Sequence, residues 1–120
     1  MAKPQFEIGD TVTTTFRPER PIKVTPVMYE AALRLRSALI VAAQRRSTLT
    51  YDQASNAIDG VFLTRALGKP LDLVSHDCMQ RGEPSLSALV ISKRSGAVGG
   101  AYIGDAEAAR ERCYTYEPWQ

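Results

Sequence analysis

The side chains best suited to catalysis in this chain are one histidine, His76, and two cysteines, Cys78 and Cys113. Any Ser-His-Asp or Cys-His machinery must use His76, because the sequence holds no other histidine. His76 and Cys78 lie two positions apart on a predicted helix, so their side chains point in different directions and do not easily face one substrate. Asp72 precedes His76 by four residues, which an ordinary surface pair explains. We expect Cys78 to be a small buried apolar residue, and we assign no catalytic residue.

Metal and cofactor chemistry finds as little support in the sequence. Two cysteines without close spacing predict neither a disulfide framework nor a zinc site, and a site of three or four ligands built from Cys and His alone is excluded. There is no phosphate-binding loop of the Walker form and no pair of carboxylates at a suggestive spacing. We expect a protein that is not an enzyme and that holds no metal and no cofactor.

Arginine dominates the basic residues, supplying eleven of the fifteen. Between Arg17 and Arg46 there are seven basic residues and two acidic ones, whereas the last twenty residues contain two arginines and four acids. A guanidinium is planar and always charged, so it suits bidentate binding of phosphate. Each arginine taken alone is explained as a solvated surface charge, but the cluster favours an anionic partner. The net charge of +2 argues against tight sequence-independent DNA binding by a monomer, although a dimer doubles the basic surface.

The length and composition are those of one small domain. A chain of 120 residues can bury a real core but is too short for two ordinary domains. Its 44% apolar and 23% charged residues are typical of a globular protein. The longest apolar run, residues 38–43, is far shorter than the ~18 residues of a membrane span, and no hydrophobic segment follows the first residues as in a secretory signal. We expect no membrane association and a cytoplasmic location.

The first half of the chain predicts an extended arm and one long helix. Residues 1–24 have little helical periodicity and predict an extended arm or short hairpin. Thr25 is a suitable N-cap, and the proline that follows it suits a first helical turn. Apolar residues then recur at helical spacing and predict a helix running to about Gln44. The residues of this face are Met28, Ala32, Leu35, Leu39 and Ala42.

Short helices follow, and then the periodicity changes. Thr50 and Gln53 have the spacing of a capping box, which predicts a short helix beginning at Tyr51. Residues 61–67 predict a second short helix, and residues 69–81 a third with a glycine as C-cap.

Residues 86–91 alternate and predict a strand. A basic, glycine-rich loop over 93–100 and a return strand over 101–103 come next. A last helix capped by Asp105 is predicted to run through Arg112.

This order of elements is that of a winged helix-turn-helix, an α+β fold with a two- or three-stranded antiparallel wing sheet. We therefore place an extended arm at 1–24, a winged-helix domain at 25–113 and an aromatic tail at 114–120. In this architecture the helix over 61–67 enters the DNA major groove. The loop over 93–100 is the wing, which lies against the DNA backbone.

Three segments within residues 48–103 resemble the DNA-binding half of the alkylguanine-DNA alkyltransferases and their catalytically inactive relatives. They are residues 50–54 (Thr-Tyr-Asp-Gln-Ala), 64–68 (Thr-Arg-Ala-Leu-Gly) and 95–102 (Ser-Gly-Ala-Val-Gly-Gly-Ala-Tyr). The resemblance implies that Tyr51 presses on a DNA phosphate and that Arg65 probes or replaces a base in the stack.

The chain departs from this family at the catalytic motif. A proline-cysteine-histidine-arginine sequence should precede the Ser-Gly-Ala turn, but residues 89–94 read Leu-Val-Ile-Ser-Lys-Arg. Neither Cys78 nor Cys113 takes the place of the missing nucleophile, so we do not expect alkyl transfer. What remains is a scaffold that retains DNA binding or uses the same surface for a protein.

We therefore expect a non-catalytic DNA-binding protein that is a monomer or a homodimer. It would contact double-stranded DNA through the two short predicted helices, the loop over 93–100 and a pair of arginines. The residues expected to contact DNA are Tyr51, Thr64, Arg65, Lys93, Arg94, Ser95, Arg45 and Arg46.

The alternative is a protein-interaction module or small inhibitor that docks on a larger protein. Its contact surface would be the Arg-rich first helix, the N-terminal arm or the aromatic tail, which contains Tyr114, Tyr116 and Trp119. For the tail, the sequence also permits a structural role in which Tyr114 and Trp119 fold back over the core.

Overall fold

The computed structural model of the chain describes residues 4–92 and 105–119. Within these residues the protein is a single α+β domain of four helices and two small sheets, and the predicted fold class is confirmed at this level. The helices are α1 (Pro26–Gln44), α2 (Tyr51–Ala57), α3 (Gly68–Arg81) and α4 (Ala106–Thr115). Strands β1 (Thr11–Val12) and β2 (Ile22–Lys23) pair antiparallel, and β3 (Leu49–Thr50) pairs parallel with β4 (Val90–Ile91).

Helix α1 begins and ends where the sequence predicts. The Thr25 hydroxyl accepts a hydrogen bond from the Met28 N–H at 3.1 Å, which satisfies one of the free amides of the first turn. All five residues of the predicted apolar face are buried. After Gln44 the chain turns at Arg46, whose φ of 52° ends the helix. Helix α3 and residues 86–89 pack on α1 and complete the core around it.

The predicted arm over residues 1–24 contributes to the same core in its described part. Phe6, Val12, Ile22 and Val24 are all buried, and the Gly9 N–H donates to the Val24 carbonyl at 2.8 Å. The hairpin that the sequence allows would bring together residues 6–8 and 11–16 around Gly9 and Asp10. The observed pair is a different one, because β1 pairs with β2, about ten residues further along the chain.

Helix α2 confirms the capping box. The Thr50 hydroxyl accepts from the Gln53 N–H at 3.1 Å, and the Gln53 side chain accepts from the Thr50 N–H at 2.9 Å. This reciprocal pair satisfies two backbone donors at the helix start. It also sets the position of Tyr51, the first residue of the helix.

The predicted helix over residues 61–67 is wrong. Only one 3-10 turn forms there, Thr64–Ala66. Asp59 and Gly60 both have positive φ, and Leu63 is extended, so the chain enters the segment in a non-helical conformation. Valine and phenylalanine at 61 and 62 are weak helix formers, and a segment this short has too few hydrogen bonds to offset nucleation.

The predicted strand over residues 86–91 is wrong in its first four residues. Leu86–Leu89 form a 3-10 turn, and only β4 is extended. A short apolar run buried on several sides is compatible with either conformation, and tertiary packing decided it here. The partner of β4 within the described residues is β3, in parallel. The loop over 93–100 and the return strand over 101–103 lie outside the described residues, so the wing stays a prediction.

Helix α4 is capped by Asp105 as predicted and continues to Thr115, three residues past the predicted end. Tyr114 therefore belongs to this helix rather than to a tail. Its hydroxyl donates to the Ser47 carbonyl at 3.2 Å, and the Trp119 indole N–H donates to the Cys113 carbonyl at 2.9 Å. Both rings pack on the core, as the structural interpretation of the tail expects.

Among the residues that the structure describes, none of the helices combines the length and the apolar character needed to cross a membrane.

Candidate functional site

A cavity of about 680 Å³ lies where α2, the turn Thr64–Ala66 and the start of α3 meet the β1–β2 loop. Three predicted DNA-contacting residues, Tyr51, Thr64 and Arg65, line it. The structure thus brings together side chains that the sequence placed on two separate predicted helices. This cavity is our candidate functional site.

The turn that carries Arg65 is held by contacts on both sides. The Ser55 hydroxyl donates to the Phe62 carbonyl at 2.8 Å, and the Ala66 N–H donates to the Leu63 carbonyl at 2.8 Å. Leu67 follows the turn and is fully buried. Arg65 itself is exposed, and it forms no ion pair with the residues described.

Tyr51 occupies a different position in the wall. Its ring is half-buried and packs against the core, so the capping box and the core together set its orientation. Within the described part of the chain its hydroxyl has no hydrogen-bond partner. The hydroxyl is therefore available to an outside group.

Three further basic residues line the cavity, and the sequence analysis did not single them out. Arg17 and Arg20 come from the β1–β2 loop, and Lys69 from the first turn of α3. Arg20 Nη2 lies 3.7 Å from where a Cβ on Gly68 would stand, so this loop reaches the start of α3. The local excess of basic residues between Arg17 and Arg46 was the only sequence signal for Arg17 and Arg20, and it did not indicate which arginines converge. Lys69 lies outside that cluster.

The two acidic residues of the lining are each paired with an arginine. Arg17 Nε lies 2.8 Å from Asp72 Oδ2, and Glu83 forms two hydrogen bonds with Arg36. Burial raises the pKa of Asp72 above its ordinary value, and the Arg17 guanidinium opposes this shift. The other cations of the described lining, Arg20, Arg65 and Lys69, form no ion pair with a described residue. The cavity therefore carries an excess of positive charge.

The interior of the cavity is largely apolar. A small polar region interrupts it, where the hydroxyls of Ser75, Ser85 and Ser87 lie 2.5–3.1 Å from one another. Such a ring satisfies its own donors while each oxygen keeps acceptor capacity. The apolar lining residues include Phe16, Met28, Phe62, Leu71, Met79 and Val90.

Two predicted contact residues do not join this site. Arg45 and Arg46 are exposed just past the end of α1 and are not in the cavity lining. Met28, which does line the cavity, lies 17 positions before Arg45, about 26 Å along the helix axis at 1.5 Å per residue. The remaining three predicted residues, Lys93, Arg94 and Ser95, lie outside the described residues.

The cysteines and the histidine are buried to different degrees. Cys78 lines the cavity but is buried, and burial raises the pKa of its thiol to about 12. Burial likewise raises the pKa of the Cys113 thiol to about 12. Burial lowers the pKa of His76. At neutral pH both thiols are therefore protonated and weak as nucleophiles. Within residues 4–92 and 105–119, no group of three or more His, Cys, Asp or Glu side chains could hold a metal ion.

Comparisons of this chain with protein-family models, with curated proteins and with solved structures find no match. The fold and the site define a small α+β domain with a cationic, apolar-walled cavity. The resemblance to the alkylguanine-DNA alkyltransferases rests on its three short motifs.

Proposed function

We propose that this chain is a non-catalytic DNA-binding protein that contacts the phosphate backbone around the cavity. The observation that carries the proposal is Arg65, an exposed guanidinium without an ion pair among the described residues, on the same cavity as Tyr51. Arg20 and Lys69 add charge from two neighbouring elements. Several cations on one face neutralise several phosphates, and the release of counterions then drives binding.

The 3-10 turn at Thr64–Ala66 favours phosphate contacts over base recognition. At about 2 Å per residue, this turn is only ~6 Å long, whereas a recognition helix presents several side chains to base edges along the major groove. We therefore propose weak sequence preference and a strong dependence on salt. Lys93, Arg94 and Ser95 belong to this proposal as further backbone contacts.

The test is fluorescence anisotropy of a labelled mixed-sequence duplex, titrated with the protein at low and moderate salt. Arg65→Ala should weaken binding about tenfold, the effect of one charge-assisted hydrogen bond. It should also reduce the salt slope by about 0.9 for each lost phosphate contact. Lys93→Ala combined with Arg94→Ala should flatten the salt dependence further.

Arg112→Ala is the matched control. Arg112 is exposed on the last turn of α4 and is not in the cavity lining, yet its removal changes the net charge by the same amount. If Arg65→Ala and Arg112→Ala lower affinity equally, the cavity face is not the interface. If Arg45→Ala or Arg46→Ala lowers the affinity for the duplex more than Arg65→Ala does, the interface lies at the end of α1.

A protein-interaction module is the second candidate, and one observation favours it. Val61 and Leu63 are 55% and 57% exposed on the loop that precedes Arg65. Exposed apolar side chains beside a cation are typical of contact surfaces for proteins. A duplex that fails to bind at micromolar protein in low salt would favour this candidate, and V61S/L63S would then be the variant to compare in a pull-down.

A further inference from the structure

The apolar interior of the cavity is not explained by binding to DNA. A duplex backbone would contact the exposed cations and would leave uncovered the accessible apolar part of the lining, which includes Phe16, Phe62 and Met79. Cavities of 300–1,000 Å³ with apolar walls and a few polar groups are typical of small-molecule sites. The volume of about 680 Å³ falls within this range.

The charges of the cavity select the sign of a ligand. Arg20, Arg65 and Lys69 come from three different elements and have no ion pair with a described residue. Asp72 and Glu83, the acids of the described lining, are already held by arginines. An anionic group at the edge of the cavity can therefore bind a cation without breaking an existing ion pair, whereas a cationic group would meet repulsion.

The serine ring contributes at another part of the wall. The three hydroxyls hydrogen-bond one another, so their donors are used within the ring and their oxygens can still accept. This region therefore accepts a hydrogen bond from a ligand and does not need a negative charge. The cavity thus has two kinds of polar group, which are the basic side chains and the neutral serine hydroxyls.

We propose that the cavity binds a small amphipathic organic anion, with an aromatic or branched apolar body and one carboxylate or phosphate group. The apolar body lies against Met28, Phe62 and Leu71, and the anionic group contacts Arg20, Arg65 or Lys69. The site does not depend on DNA binding. If the DNA-binding proposal also holds, the ligand and the duplex compete for Arg65, and the ligand acts as an effector that releases DNA.

The first experiment uses 8-anilinonaphthalene-1-sulfonate as the probe, with the folded full chain and no DNA. We expect its fluorescence to rise and to saturate at one probe per chain. N-phenyl-1-naphthylamine has a similar aromatic body without the sulfonate, and it should bind about tenfold more weakly if a cation contacts the anion. Equal affinities for the two probes would overturn the proposal.

The variants locate the probe. Arg20→Ala and Lys69→Ala should together weaken sulfonate binding about tenfold or more, while Arg112→Ala should leave it within about twofold. All three positions are exposed, and circular dichroism should show that each variant is folded. If Arg112→Ala weakens the sulfonate as much as Arg20→Ala with Lys69→Ala, the probe is outside the cavity and the proposal is wrong. Displacement of the probe by 1-naphthoate or by 1-naphthyl phosphate then distinguishes a carboxylate from a phosphate ligand.

Comparison with the duplex titration separates this proposal from the previous one. Specific sulfonate binding without duplex binding supports the cavity and contradicts the DNA proposal. Duplex binding without specific sulfonate binding supports the DNA proposal and contradicts the cavity proposal. If both bind, the naphthyl anion that displaces the probe should also displace the labelled duplex, and simultaneous binding of the two would overturn the effector role.

Discussion

Arg36 on α1 and Glu83 after α3 form a bidentate ion pair inside the domain. Arg36 Nη1 lies 2.6 Å from Glu83 Oε1, and Arg36 Nη2 lies 2.9 Å from Oε2. Their side chains are 7% and 6% exposed, and Asp77 Oδ2 lies 3.7 Å from Arg36 Nη1. Burial tends to lower the pKa of Arg36, but the bonds to Glu83 outweigh it and the pKa is raised. This pair links α1 to the segment that follows α3. Glu83 also lines the cavity.

Removing one member of this pair should destabilise the domain. Glu83→Ala leaves a buried guanidinium without its main partner, which costs about 3 kcal/mol or more. The control is Glu111→Ala on the exposed side of α4, which should change stability by at most about 0.5 kcal/mol. Urea unfolding measures both. Replacing the pair by apolar residues, Arg36→Met with Glu83→Leu, should recover most of the loss. A double variant no more stable than Glu83→Ala alone would contradict this account.

The capping box should contribute to stability and to the position of Tyr51. Thr50→Ala removes the acceptor for the Gln53 N–H and should cost about 1 kcal/mol of unfolding free energy. Thr50→Ser keeps the hydroxyl and should cost much less. If Tyr51 contacts phosphate, the alanine variant should also weaken duplex binding relative to the serine variant. Equal stabilities of the two variants in urea would show that the cap contributes nothing.

His76 should make stability depend on pH. Burial lowers its pKa in the folded state below the ordinary value of 6.5, although Asp77 opposes this shift. The unfolded chain therefore takes up a proton more readily, so stability is fully present above pH 6.5 and is lost as the pH falls through the folded pKa. His76→Gln removes this contribution. We expect melting temperatures measured from pH 7.5 to 5.5 to fall less in His76→Gln than in the wild type, and parallel curves would refute the assignment.

The end of the chain should stabilise the core. Truncation after Cys113 removes the Tyr114 hydrogen bond to Ser47 and the Trp119 bond to the Cys113 carbonyl, together with the packing of both rings. Large aromatic truncations cost about 3–5 kcal/mol when the ring is fully buried, and less here because both are half-buried. Differential scanning calorimetry should record a clear loss of thermal stability. Unchanged stability, with lost binding of a protein partner, would instead make these rings a contact surface.

Local interactions explain which elements the sequence predicts correctly. The start of α1 depends on Thr25 and Met28, and the start of α2 on Thr50 and Gln53. In each pair the two residues are three positions apart. The end of α3 depends on Gly82, whose φ of 70° suits glycine. Such contacts form within one helical turn, so residue types and spacing are sufficient to predict them.

The two wrong predictions have different physical causes. Residues 61–67 have helical spacing, but Asp59 and Gly60 turn the chain and Ser55 binds the carbonyl of Phe62. Residues 86–89 have an alternating pattern, but they are surrounded by α1, α3 and α4 and adopt a 3-10 turn. In the first segment the preceding turn and the weak helix propensity of residues 61 and 62 prevent a helix from forming. In the second segment tertiary packing overrides the alternating pattern.

The sequence by itself determined the long helix and the capped starts of α2 and α4. It also identified Tyr51 and Arg65 as candidate contact residues on either side of a turn. Only the tertiary structure decided that these two share a cavity with Arg20 and Lys69, and that Arg45 and Arg46 do not. The physical reason is that the cavity is built from elements far apart in the chain. Its shape follows from how α1, α3 and the β1–β2 loop pack, which no local pattern encodes.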